Sequence, residues 1–100
     1  MSKKDVKLVL SLCYRWGYSY KISDLKGLLE LTLGNKYKLD LVEEPIRPGN
    51  GEYLIFLEKN GKKKLIFSNS KSDKNKGAVF GYELAEDNIE DFVSLLDKSA

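Results

Sequence analysis

The sequence predicts a single small α/β domain with a mixed sheet. Three observations predict it. A short, nearly continuous apolar run at residues 6–12 is followed by a helical pattern from Ile22. Two strand-like runs meet at Asn60-Gly61, the two-residue signal for a type I′ hairpin. An amphipathic stretch from Ile89 comes last. At 100 residues, with 42% apolar and 32% charged content, the composition is globular and fits one domain.

Each element follows in order. Residues 6–12 read as a buried central strand, which Cys13 ends. Ile22, Leu25, Leu28, Leu29 and Leu33 lie on one helical face, with Ser19 or Ser23 as the expected cap and Gly34-Asn35 as the stop. Tyr37, Leu39 and Leu41 alternate with polar residues, giving a second strand. Residues 44–51 hold both prolines, Pro45 and Pro48, and read as a loop. Residues 52–59 and 62–67 are the third and fourth strands. The polar, lysine-rich residues 68–76 read as a mobile loop. Asp87 or Asn88 caps a last helix that buries Ile89, Phe92, Val93, Leu95 and Leu96. The order is β-α-β-β-β-α: four strands and two helices, with the first strand central. The hairpin leaves no room for a helix between the third and fourth strands, which sets aside the split β-α-β folds.

Composition excludes several functions. The chain has no histidine, which removes Ser-His and Cys-His catalysis and most zinc sites; no metal is expected. No apolar run is long enough to span a membrane, and the start of the chain lacks a secretory signal pattern. A lone cysteine then suits a reducing, cytoplasmic compartment. Net charge is only +2, so nucleic acid is not an expected partner, and neither is a membrane. Lys59, Lys62, Lys63, Lys64, Lys71, Lys74 and Lys76 crowd one stretch, which reads as a solvated rim and a protected strand edge.

Cys13 stands at a strand-to-helix junction. The free amide groups of a following helix favour a thiolate there, and Arg15 adds positive charge. The competing reading is a small buried packing residue, common for free cysteine. Tyr14, Trp16, Tyr18 and Tyr20 supply either a face for a peptide or small thiol, or cover for the core.

Leu12-Cys13-Tyr14-Arg15-Trp16-Gly17-Tyr18 resembles the signature of the thioredoxin-like selenoprotein W family, often called Rdx. There, a strand ends in Cys-x-x-selenocysteine or Cys-x-x-Cys, followed by Gly-Tyr. Leu25-Lys26 with Leu28-Leu29-Glu30, the loop through Pro45 and Pro48, Glu52-Tyr53, Gly61-Lys62 and residues 67–71 fall in family order, so the resemblance covers nearly the whole chain. It implies a thioredoxin-like fold and a thiol-redox function. Cys13 is then the attacking thiol, with Tyr14, Arg15, Tyr18, Pro45 and Pro48 around the substrate. One proline is expected near Cys13, with a cis peptide bond as a feature to look for. No cofactor is bound; glutathione or protein thiols are the implied partners, with adaptors of the 14-3-3 type as a family-level hint.

The departure is Trp16, which occupies the second redox position and cannot resolve a mixed disulfide. Three readings are open: a monothiol protein exchanging with glutathione, a redox-inactive interaction module, or a tryptophan standing where the message carries a UGA selenocysteine codon. The codon at position 16 separates them.

Overall fold

Apolar runs and turn chemistry place the strands where alternation puts them. The structure, a computed structural model, describes residues 3–14, 17–46, 51–74 and 76–100. In chain order the elements are β1 (Lys4–Leu12), α1 (Tyr18–Leu33), β2 (Tyr37–Glu43), β3 (Tyr53–Lys59), β4 (Lys62–Ser68), α2 (Lys71–Lys74), β5 (Val79–Phe80) and α3 (Ile89–Ser99). The sheet order is β2-β1-β3-β4-β5. β1 runs parallel to β2 and antiparallel to β3; β3 and β4 form the hairpin; β4 and β5 are parallel.

The fold is the expected mixed α/β class, with corrections. The sheet has five strands, not four, so β3 lies at its centre and β1 beside it. A third, four-residue helix, α2, occupies the stretch expected as a loop. Neither addition has a periodic sequence signal: β5 is two residues long and α2 buries nothing. Short-range bonds around Ser68 and Asp73 hold α2 instead. Ser68 Oγ donates to Asp73 Oδ2 at 2.6 Å, the Ser70 amide donates to Ser68 Oγ at 3.0 Å, and the Ala78 amide donates to the Asp73 carbonyl at 3.2 Å.

The core lies on one face of the sheet. Leu8, Leu10 and Leu12 of β1, Ile55 and Leu57 of β3 and Ile66 and Phe67 of β4 are buried beneath α1 and α3. All eight residues expected inside are there: Leu8, Leu10, Leu12, Ile55, Leu57, Ile66, Phe92 and Leu96. The consecutive burial of Ile66 and Phe67 breaks strand alternation. A bulge explains it: Ile55 pairs with Phe67 but Phe56 with Leu65, leaving Ile66 as the extra residue. Phe67 packs edge-on between Tyr53 and Phe92, at 5.6 and 6.3 Å between ring centres, and so links the hairpin to α3.

The helix ends differ from expectation. Gly17, in left-handed conformation with φ 80°, is the N-cap of α1, so Ser19 lies in the first turn and Ser23 farther inside. Asn88 is the N-cap of α3 as expected. Its side chain does not cap the helix; Oδ1 accepts from the Ala85 amide and Nδ2 donates to the Glu83 carbonyl, folding the approach to α3.

Candidate functional site

The C-terminal end of β1 is clamped from both sides. On one side, the Glu44 amide donates to the Leu10 carbonyl at 2.9 Å, and the Ile46 amide to the Leu12 carbonyl at 3.1 Å. Cys13 forms a parallel bridge with Ile46, and the Tyr14 amide donates to the Ile46 carbonyl at 2.9 Å. On the other side, the Cys13 amide donates to the Glu52 carbonyl at 2.9 Å. The backbone at the thiol is thus fixed by a central strand and two flanking segments. Pro45 precedes Ile46, the residue bridged to Cys13. No cis peptide bond occurs among the described residues, so the bond to Pro45 is trans. Pro48, Arg15 and Trp16 lie outside the described residues.

An open cleft of about 720 Å³ lies at this end of the sheet. Leu12, Cys13, Tyr14, Lys21, Glu52, Tyr53, Asn69, Tyr82 and Glu83 line it, with Gly51 at its edge. Cys13 is buried, with 8% of its surface exposed, whereas Tyr14 and Tyr82 are 61% and 90% exposed. The sulfur-bearing residue is therefore at the base of the cleft and the two tyrosines stand at its rim. Lys21 brings a cation from the first turn of α1, and Glu52 and Glu83 bring carboxylates.

Asn69 braces the far wall. Its Nδ2 donates to the Gly51 carbonyl at 2.7 Å and its Oδ1 accepts from the Tyr53 amide at 3.1 Å. One side chain thereby satisfies two backbone groups where β3 begins. Tyr53 is buried, and its hydroxyl accepts from the Leu84 amide at 3.3 Å. Burial pushes its ionisation up to about 12, so this tyrosine stays neutral.

Tyr18 is placed differently from Tyr14. Their rings meet at 5.0 Å between centres, tilted by 50°. The Tyr18 hydroxyl donates to Glu43 Oε1 at 3.2 Å, and Lys26 donates to Glu43 Oε2 at 2.6 Å. Burial, reinforced by the Glu43 carboxylate, raises the Tyr18 ionisation to about 12. The Lys26 ammonium in turn holds the Glu43 carboxyl below its ordinary value. Tyr18 therefore ties α1 to β2 and supports Tyr14 from behind; it shares with Tyr14 a shallow surface hollow rather than the thiol cleft. Tyr20 is exposed and points away from the core.

Sequence reasoning missed Lys21, Asn69, Tyr82 and Glu83 at the cleft. Lys21 reads as the polar side of a helix, and Tyr82 and Glu83 stand 69 or more positions after Cys13. Only the pairing of β4 with β5 brings that segment to the end of β1. No protein-family model matches the chain, and no curated protein and no solved structure matches it.

Proposed function

We propose that this chain is a thiol-redox protein of the selenoprotein W type, working through Cys13 as a single exchanging thiol in a reducing, cytoplasmic setting. The observation that carries the reading is the placement of the chain's single cysteine. It lines a cleft at the end of a clamped strand, four positions before Gly17, the N-cap of α1. Glutathione is the proposed thiol partner. Lys21 complements its carboxylates, Glu83 its ammonium group, and Tyr14 and Tyr82 flank its backbone.

The exchange is balanced. The Cys13 thiolate attacks one sulfur of oxidised glutathione. A new S–S bond forms to Cys13 while the original S–S bond breaks, and the other glutathione leaves as a thiolate. With one cysteine in the chain, no internal thiol resolves the product, so a second glutathione thiolate must regenerate Cys13. Mass measurement after treatment with oxidised glutathione should show one added glutathione, absent in Cys13→Ser. Trp16→Cys should supply an internal resolving thiol and release the bound glutathione without a second glutathione.

Burial of Cys13 supports a second reading, a redox-inactive interaction module that keeps the fold and docks partners such as 14-3-3-type adaptors. Alkylation that proceeds only on unfolding, with no added mass from oxidised glutathione, would establish this reading in place of the first.

A further inference from the structure

The net charge of +2 conceals an uneven distribution. The lysine-rich stretch of the sequence is divided by the fold. Lys71, Lys74 and Lys76 stay near the C-terminal end of β4, on or beside α2. Lys59 and Lys62 face each other across the hairpin at the opposite end. There they meet lysines from distant parts of the chain. β1 begins with Lys4 opposite Tyr37, and Lys38 follows on β2. α3 ends at the same place, since Asp97 binds Lys36 and Tyr37, and Ser99 accepts from Lys64. Lys98 is in that last turn. Lys4, Lys38, Lys59, Lys62 and Lys98 are all exposed, and none makes an ion pair among the described residues. Of the acids at this end, Asp97 is engaged by Lys36 and Tyr37 and Glu58 by Lys7, which leaves Asp5, Glu30 and Asp40 among the described residues against the five lysines.

We propose that this lysine-bearing end, opposite the cysteine cleft, docks on the anionic surface of a membrane leaflet. Charge complementarity selects a polyanion, and three features favour a lipid surface over nucleic acid. The cations are all lysines, which act as mobile point charges, not the planar forks that read phosphate and bases bidentately. The exposed aromatics Tyr14, Tyr20 and Tyr82 belong to the other end, so no stacking platform accompanies the lysines. Leu31, 82% exposed in the last turn of α1, instead presents an apolar side chain at the basic end. No helix among the described residues is long and apolar enough to cross a membrane, so the contact is peripheral.

The test is sedimentation with vesicles of phosphatidylserine and phosphatidylcholine, compared with phosphatidylcholine alone, with an RNA and a DNA duplex as competitors. The full chain should partition onto the anionic vesicles at low salt, ignore the neutral ones, and dissociate at high salt. Replacing Lys38, Lys59 and Lys62 by Gln should weaken partition roughly a hundredfold, about fivefold per lysine. The matched triple replacement of Lys71, Lys74 and Lys76 by Gln removes the same charge from the other end and should leave most of the binding. Equal loss in both triple variants, no partition onto anionic vesicles, or displacement by nucleic acid at lower concentration than lipid would each overturn the proposal.

Discussion

At the cysteine end of the sheet, structure is assembled from remote pieces. Residues 44–46, Glu52, Asn69 and the segment at Tyr82 all converge on the last residues of β1. At the lysine end, the central feature is local: β3 turns directly into β4 through Asn60 and Gly61, with φ of 55° and 78°. The first end concentrates backbone groups that need partners and meets that need with a side-chain brace. The second closes its hairpin with backbone hydrogen bonds, ties α3 to β2 through Asp97, and leaves its remaining lysines to solvent. The difference separates a place suited to precise positioning from one suited to diffuse electrostatic contact.

The largest effect tests whether the two ends share one cooperative core. Phe67→Ala removes the ring between Tyr53 and Phe92 and should cost about 3–5 kcal/mol. Denaturant unfolding followed at both ends should show one coincident transition. Separate transitions would mean that the ends are independent units.

A smaller effect should be confined to the cysteine end. Asn69→Leu leaves the Gly51 carbonyl and the Tyr53 amide without their side-chain partner, at about 1–3 kcal/mol. Amide exchange should rise near Tyr53 while the hairpin at Asn60 stays protected. Unchanged exchange at Tyr53 would show that Asn69 does not brace the cleft.

The corresponding change at the lysine end is smaller still. Gly61→Ala forces a side chain into a left-handed position at about 1 kcal/mol, although nothing obstructs the new methyl group. A thermal shift without change in Cys13 alkylation is expected. Faster alkylation would show that strain at the hairpin reaches the cleft.

The smallest effect is the acid response of the lysine end. Lys36, with help from the Tyr37 hydroxyl, holds the Asp97 carboxyl below its ordinary value of 3.8. A depressed folded value means that the unfolded chain binds the proton first. The stabilisation is therefore complete above that ordinary value and is lost as pH falls through the lower folded one. Asp97→Asn should flatten this part of the pH–stability curve. An unaltered curve would remove Asp97 as its source.

Much of the fold was legible because buried strands and helices repeat with a fixed period. The stripe Ile22-Leu25-Leu29-Leu33, and Phe92 with Leu96, declare their faces by spacing, and the continuous apolar run of β1 declares a strand buried on both faces. The hairpin was equally legible, because few residues other than Asn and Gly adopt positive φ at low cost. Cys13 and the proline loop could be singled out as candidate site residues, and Pro45 lies next to the residue bridged to Cys13.

Tertiary structure alone decided the rest. β5 exists because a two-residue segment finds the edge of β4, an event no local period encodes. The cleft's far wall and the clustering of Lys4, Lys38, Lys59, Lys62 and Lys98 depend on strand order and register, which bring together residues far apart in the chain. Side-chain identity fixed what each residue offers, in hydrogen bonds, charge or apolar surface. Chain topology fixed which of those offers meet, because hydrogen bonding and packing act over a few ångströms of space and are indifferent to separation along the sequence.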